Sequence, residues 1–156
     1  MNATEFRLIR HELLKTQKQM AELLGVSIKA IQSFEQGWRI IPPHVERQAL
    51  FLLSLKMETQ GQLDPCWEIT HCPPDIREAC PAWEFQSGHL CWFINGTVCQ
   101  GKPRGSWSEK MTLCRKCDVF VSFMKNCGLC QERKTVQRLS RIISQRTSRH
   151  SSNEKS

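Results

Sequence analysis

The sequence contains no hydrophobic stretch long enough to cross a membrane and no apolar leader at its start. Its longest purely apolar runs are five residues, as at 49–53, whereas a transmembrane helix needs about 20. Residues 1–20 are rich in charge and lack the apolar segment that a secretory signal requires. We therefore expect a cytoplasmic protein without a membrane partner.

Cysteine is missing from the first 65 residues, and all nine cysteines fall between Cys66 and Cys130. In the reducing cytoplasm such clusters bind metal more often than they form disulfides, and an odd number cannot be completely paired. The part of the chain that contains the cysteines is short and has few aliphatic residues, so it needs a stabilising element in addition to its apolar core. This distribution of cysteine predicts four segments: a first domain at 1–58, a linker at 59–65, a cysteine-rich module at 66–130 and a tail at 131–156.

Glycine-rich phosphate loops and paired catalytic carboxylates are also missing, which argues against an enzyme and against a small-molecule substrate. A Cys-x-x-Cys oxidoreductase is the enzyme alternative, but that fold requires a βαβ unit that the sequence does not indicate. Lysine and arginine outnumber acidic residues by 22 to 15, a net charge of +7, and the tail carries seven basic and two acidic residues. Such a tail predicts a polyanionic partner, nucleic acid first, with a solvated solubility tail as the alternative.

The first 58 residues predict short amphipathic helices. A first helix is expected over about 4–15, because apolar residues recur there at helical spacing; they are Phe6, Ile9 and Leu13. Thr16 and Gln19 have the spacing of a capping box, which opens a second helix. The residues expected to face the core from the second helix are Met20, Ala21, Leu23 and Leu24.

A turn around Gly25 separates the second helix from a third. Gly25 is expected to end the second helix, because a residue without Cβ adopts positive φ freely. Ser27 is the expected N-cap of the third helix, in which Ile31 and Phe34 form a core pair and which ends at Gly37. Two short helices joined by a turn of three or four residues that contains glycine are typical of a helix-turn-helix.

The string T-Q-K-Q-M-A-E-L-L-G-V-S-I-K-A-I-Q-S-F-E-Q-G, at 16–37, resembles the Cro and phage-repressor family of DNA-binding domains. The resemblance covers about residues 4–56. It implies that the third helix lies in the major groove of double-stranded DNA, with its first residues at the base edges. The positions that it implies for DNA contact are Thr16, Gln17, Ser27, Ile28, Lys29, Gln32, Ser33 and Arg39.

A fourth helix is predicted after Gly37, with Pro42 or Pro43 in its first turn. The residues expected to face the core are Val45, Ala49, Leu52 and Leu53. Three further apolar residues are left on other faces of this helix: Leu50, Phe51 and Leu55. They indicate either ordinary partial exposure or a homodimer contact, which helix-turn-helix proteins use to span two half-sites, and we expect a homodimer.

The cysteine spacing of the second unit predicts a metal centre. The sequence has two Cys-x-x-Cys pairs, Cys114/Cys117 and Cys127/Cys130. This spacing lets two thiolates of one turn reach the same metal. Proline follows two other cysteines, at 72–73 and 80–81, as it often does in iron–sulfur proteins. We expect a thiolate-bound centre, with an iron–sulfur cluster slightly favoured over zinc.

Imidazole and indole side chains accompany these cysteines. His71 and His89 either replace a thiolate ligand or lie on the surface. Trp67, Trp83 and Trp92 either shield a cluster from water or form the core of a unit that has few aliphatic residues.

The pattern C-W-E-x3-C-x7-C-P-A-W…C-W-x3-G-T-x-C…C-x-x-C-x-V-F, from Cys66 to Phe120, resembles a two-CW module. Modules of this kind are attached to sensory and regulatory proteins of anaerobic bacteria. The cysteines at matching positions, which we predict to bind the metal, are Cys66, Cys72, Cys80, Cys91, Cys99, Cys114 and Cys117. Cys127 and Cys130 fall outside the pattern. The alternative is a single zinc ion bound by Cys114, Cys117, Cys127 and Cys130.

Together these features predict a mainly α fold: a helix-turn-helix domain of four to five helices, then a small, irregular, metal-stabilised cysteine-rich module and a basic tail. The predicted function is that of a bacterial transcription regulator that binds specific double-stranded DNA and responds to redox state or metal supply, through the linker near 57–65. Two alternatives stay open. One is a non-enzymatic adaptor that binds a protein through the helix-turn-helix scaffold, and the other is a thiol redox protein.

Overall fold

A computed structural model describes residues 1–58 and 64–127, and this part of the chain is mainly helical, as the sequence predicts. The tail at 131–156, Cys130 and most of the linker lie outside the described residues. Four helices form the first half: α1 (Ala3–Glu12), α2 (Gln17–Leu24), α3 (Ile28–Glu35) and α4 (Pro43–Glu58). No helix within 1–58 or 64–127 combines the length and the apolar composition needed to span a membrane.

Short elements make up the second half. They are α5 (Cys66–Ile69), α6 (Pro74–Glu78), α7 (Pro81–Glu84), a 3-10 turn (Gly88–Leu90), β1 (Val98–Cys99), β2 (Lys102–Pro103), α8 (Trp107–Cys114) and α9 (Asp118–Asn126). The two strands are antiparallel, with Val98 paired to Pro103 and Cys99 to Lys102. Proline opens α6 and α7, because its fixed φ suits the first turn of a helix.

The capping signals read from the sequence determine the ends of α2 and α3. Thr16 Oγ1 accepts from the Gln19 amide at 3.2 Å, while the Thr16 amide donates to Gln19 Oε1 at 3.0 Å, so the capping box is confirmed. Gly25 ends α2 with a φ of +62°. Ser27 caps α3 by accepting from the Ala30 amide at 3.1 Å. Residues 25–27 therefore form the whole connection between the two helices.

The apolar core of the first half follows the predicted stripes with two exceptions. Phe6 and Phe34 meet edge to face at 5.9 Å in its centre. Leu23 was expected inside but is 40% exposed, because it lies at the edge of the stripe formed by the other apolar residues of α2. Leu50 was left outside the predicted core but is completely buried. The other buried members include Ile9, Met20, Ala21, Leu24, Ile31, Val45, Ala49 and Leu53.

The first helix ends earlier than predicted, at Glu12 rather than near residue 15. Leu14 adopts a left-handed φ of +55° and is exposed, which turns the chain towards the start of α2. Leu13, expected to belong to the helix, is its C-cap and is half-buried against the core.

The two halves share one continuous apolar core. Trp92 is fully buried and stacks on Phe123 at 5.3 Å, and this aromatic group is continuous with the core of α1 to α4. Phe51 of α4 stacks on Phe93 of the second half at 4.9 Å. Leu50 is therefore covered within the chain, and Phe51 is partly covered by Phe93.

Candidate nucleic-acid interface and candidate metal centre

The start of α3 presents a set of exposed side chains to solvent. We call the α3 face the four exposed residues Ser27, Ile28, Lys29 and Gln32. Ile28 is 43% exposed although it is apolar. Gln32 lies four residues after Ile28 and three after Lys29, spacings that make side chains neighbours on one side of a helix. Thr16, at the start of α2, and Arg39, after α3, are exposed as well.

Two of the residues predicted to contact DNA are half-buried as well as hydrogen-bonded within the chain. Gln17 is half-buried, and its Nε2 donates to Glu35 Oε2 at 2.8 Å. Ser33 is half-buried, and its Oγ donates to the carbonyl oxygen of Lys29 at 2.8 Å. Either group must share or exchange its partner before it can bind a ligand, whereas Ile28, Lys29 and Gln32 of the α3 face are exposed.

A buried ion pair, which the sequence did not reveal, connects α3 to α1. Arg10 of α1 donates to Glu35 through Nε at 2.6 Å and Nη2 at 3.1 Å, and its Nη1 donates to the carbonyl oxygen of Lys15 at 2.9 Å. Burial raises the pKa of Glu35, but hydrogen bonds from Arg10 and Gln17 hold that pKa below its ordinary value. The ion-pair partners are 25 residues apart, so no local spacing reveals their contact.

The two CW dipeptides of the second half meet in the structure. Cys66 packs against the cluster of buried residues that contains Cys91, and interaction between the two thiols shifts the pKa of each. Gly88 permits this approach, because a Cβ there would lie 2.6 Å from Trp67 Cζ3 and 2.9 Å from the Cys66 nitrogen. The sequence pattern identified both cysteines but gave no sign that they touch.

The other predicted ligands gather around this pair. Cys80 and Cys117 pack with Cys66 and Cys91 about the buried side chains of Ala82 and Val119. The remaining three complete the group through electrostatic interactions: Cys72 with Cys66, Cys80 and Cys99, and Cys114 with Cys99 and Cys117. Four of the seven predicted ligands therefore pack together, and we call all seven the thiol cluster.

Burial and proximity shift the protonation of the thiol cluster. The hydrogen bond to Cys66, together with burial, raises the pKa of Cys91 well above its ordinary value, while the same hydrogen bond lowers the pKa of Cys66. Burial raises the pKa of Cys114 to about 11 and also raises the pKa of Cys72. A metal that binds here as a thiolate complex must therefore displace protons.

The donor chemistry of the thiol cluster suits zinc or an iron–sulfur cluster, both of which take thiolate ligands. Within the described residues, however, no group of three or more histidine, cysteine, aspartate or glutamate side chains is arranged to hold a metal ion. A metal could bind the thiol cluster only if these side chains rearranged. His71 is exposed and His89 half-buried. The alternative four-cysteine zinc site stays a prediction, because Cys130 lies outside the described residues.

A lysine that the sequence analysis did not single out is buried beside the thiols. Lys110 is 1% exposed, and its Nζ donates to Oγ1 of the buried Thr97. Cys99 Sγ lies 3.6 Å from the same oxygen. The charge of Lys110 favours the thiolate forms of Cys66 and Cys114. The one hint in the sequence is that Lys110 precedes Cys114 by four residues, one helical turn.

Charged groups connect the thiol cluster directly to the first half. Arg115, between Cys114 and Cys117, donates to Glu46 of α4 at 2.6 Å and to both carboxylate oxygens of Glu5 in α1 at 2.9 and 3.1 Å. The amino group of Met1 and the indole nitrogen of Trp107 donate to Glu46 as well, at 3.0 and 3.3 Å. The linker is thus not the sole route between the halves.

In comparisons with known proteins, no protein-family model, no curated protein and no solved structure matches this chain.

Proposed function

We propose that this protein is a sequence-specific DNA-binding transcription regulator whose cysteine-rich half holds a thiolate-bound metal centre and adjusts DNA binding. The observation that carries the proposal is the α3 face, on a capped helix that follows α2 after a turn of three residues. Helix-turn-helix proteins insert such a helix into the major groove, with its N-terminal residues at the base edges. The resemblance of 16–37 to the Cro and phage-repressor family supports the same function.

The exposed side chains have the chemistry that DNA contact requires. Lys29 can donate to guanine O6 and N7, Ile28 can pack on the methyl group of thymine, and Gln32 can pair with adenine. Thr16 and Arg39 suit phosphate oxygens, which position a protein on the duplex without reading its sequence. The basic tail at 131–156 lies outside the described residues, and we expect it to add non-specific, salt-dependent affinity.

The regulatory part of the proposal rests on the junction between the halves. In small metal-binding domains the free energy of metal binding is also free energy of folding. Loss of the centre would therefore loosen the segment that carries Cys114, Arg115 and Cys117. Because Arg115 binds Glu5 and Glu46, that change would reach α1 and α4 without passing through the linker.

The identity of the centre is part of the proposal. The cysteine–proline pairs favour an iron–sulfur cluster over zinc. Anaerobically purified protein is then expected to be brown, with thiolate-to-iron charge-transfer absorption in the visible range. A colourless protein with stoichiometric zinc would assign the site to zinc instead.

A homodimer in the cytoplasm completes the proposal, because two copies are needed to occupy paired half-sites. The surface beside α3 is apolar in places, since Trp38 is 78% and Ile40 is 92% exposed. Light scattering of the full chain, alone and with duplex DNA, measures whether one or two copies bind.

The decisive experiment selects binding sites from a randomised duplex library with the full chain, then measures affinity at one salt concentration. Lys29→Ala should lose about 1–3 kcal/mol and relax the preference at one base pair. Lys102→Ala, which removes an exposed lysine from β2, is the matched control and should change little. If no consensus is recovered, the DNA-binding proposal fails and the protein-binding adaptor is favoured. If Lys29→Ala binds as well as the parent, Lys29 is not a base reader.

A further inference from the structure

The acidic residues of the second half are concentrated in its first three helices. Residues 64–84 carry five acidic side chains and one basic side chain, whereas residues 85–127 carry two acidic and six basic ones. No ion pair joins any of these five carboxylates to another described residue. All five are exposed, and we call them the acidic surface: Asp64, Glu68, Asp75, Glu78 and Glu84. An unpaired surface of one charge attracts a polycation.

A cleft adjoins the acidic surface where α5 packs against α9. Its volume is about 200 Å³, and its walls include Asp64 and Ile69 on one side and Val119, Phe123 and Lys125 of α9 on the other. The described part of the chain ends one residue beyond α9. The residues that follow therefore start next to both the cleft and the acidic surface.

The sequence beyond α9 complements this surface in charge and in apolar content. Residues 133–149, which lie outside the described residues, carry six basic and no acidic side chains. Val136, Leu139 and Ile142 recur at a spacing of three, which predicts one apolar side of a helix, and an arginine precedes each of the last two. Such a segment can place apolar side chains in the cleft while its arginines pair with the carboxylates.

Attachment to the same chain favours this segment over a separate partner. Nine residues lead from the last described residue to Val136, and they span at most about 30 Å when extended. A binding segment on so short a connection has an effective concentration on the order of millimolar. Surface ion pairs that are weak individually are then enough to keep the segment docked.

We propose that the acidic surface and the adjoining cleft bind the basic segment 133–149 of the same chain, and that double-stranded DNA competes for this segment. The docking goes beyond the proposed function, and only the competition rests on it. DNA offers the arginines a dense array of phosphate charges, but the acidic surface itself repels DNA. While the segment is docked it makes no phosphate contacts, so docking lowers the affinity for DNA of any sequence.

Tryptic cleavage of the full chain tests the docking, because trypsin cuts within 133–149 only where the segment is undocked. Glu68→Gln/Glu84→Gln removes two charges from the acidic surface. Glu22→Gln/Glu109→Gln is the matched control, with the same change in net charge at two other exposed glutamates. At low salt, cleavage within 133–149 should be about threefold faster in the surface variant than in the control or the parent. In about 1 M salt, which screens exposed charges, the three rates should converge.

The outcomes separate the docking from the competition. Equal cleavage rates in the three proteins at low salt would overturn the docking. Protection that disappears on dilution would mean that the acidic surface binds the tail of a second copy, which overturns the contact within one chain. At one salt concentration, the surface variant should bind a random-sequence duplex about threefold more tightly than the control does. Equal affinity would overturn the competition alone. A parent chain that binds no DNA would overturn the proposed function and the competition, while the cleavage rates still decide the docking.

Discussion

Arg115 Nη2 donates to Glu46 Oε1 across 2.6 Å and ties the segment after α8 to α4. Its Nη1 donates to both carboxylate oxygens of Glu5 in α1. Glu5 and Glu46 are both buried. Because Arg115 lies between two members of the thiol cluster, Cys114 and Cys117, one guanidinium group links the candidate metal centre to two helices of the first half.

Removing this guanidinium should destabilise the chain. Arg115→Met leaves two buried carboxylates without their shared cation, and we expect the free energy of unfolding to fall by about 2–3 kcal/mol. Urea denaturation at neutral pH measures the loss. Arg104→Met is the control, because Arg104 pairs at 3.2 Å with Glu109, which is 53% exposed, and such a pair contributes about 0–1 kcal/mol. Similar losses in the two variants would contradict a special role for the junction.

The same contact should carry regulation. We expect metal removal from the parent chain to change DNA affinity by about 1–3 kcal/mol, a typical coupling free energy. In Arg115→Lys, which keeps the charge but not the forked geometry, that difference should shrink. Affinity is compared for metal-loaded and metal-stripped protein at one salt concentration. An undiminished response in Arg115→Lys would show that coupling takes another route.

Acid should destabilise the chain through Glu35 and Glu46. Burial raises the pKa values of both carboxyl groups. Hydrogen bonds from Arg10 to Glu35 and from Arg115 to Glu46 nevertheless hold the folded-state pKa values below the ordinary 4.5. The unfolded chain therefore takes up protons first as the pH falls. The stabilisation is complete above pH 4.5 and is lost as the pH drops through the lower folded-state pKa values.

Thermal unfolding across the acid range measures this dependence. Glu35→Gln and Glu46→Gln should each be less stable at neutral pH and lose less on acidification than the parent, since one titrating group is gone. Glu109→Gln is the control, because that carboxylate is largely exposed. If both variants lose stability on acidification as steeply as the parent does, other groups govern the pH dependence.

Gly88 should tolerate no side chain. In Gly88→Ala the new Cβ would lie 2.6 Å from Trp67 Cζ3, 2.7 Å from Pro65 Cβ and 2.9 Å from the Cys66 backbone nitrogen. Since backbone cannot yield as a flexible side chain does, we expect a loss of about 1–3 kcal/mol and a lower metal content. Gly105→Ala, with no atom within 4 Å of the added Cβ, is the matched control. Parent-like stability of Gly88→Ala would contradict the close packing.

Local sequence signals are sufficient to predict the architecture of the first half. The helix ends depend on hydrogen bonds between residues at most four positions apart, at Thr16, Gln19, Gly25 and Ser27. Such local bonds form in the same way wherever the helices pack afterwards. Apolar periodicity likewise identified most of the buried side chains. It failed for Leu23 and Leu50, because periodicity marks the apolar faces of a helix but not the neighbour that covers each one.

Contacts between residues that are distant in the sequence depend on how the helices and strands pack together. Glu5 and Arg115 are 110 residues apart, and nothing near either residue specifies the other. The contact of Cys66 with Cys91 depends on how closely the 3-10 turn at Gly88 approaches α5. Lys110 looks like a surface lysine in the sequence and is buried because α8 packs against Thr97. Ion pairs and thiol contacts of this kind form when separate elements dock, and their energy depends on burial and on distances that only docking sets.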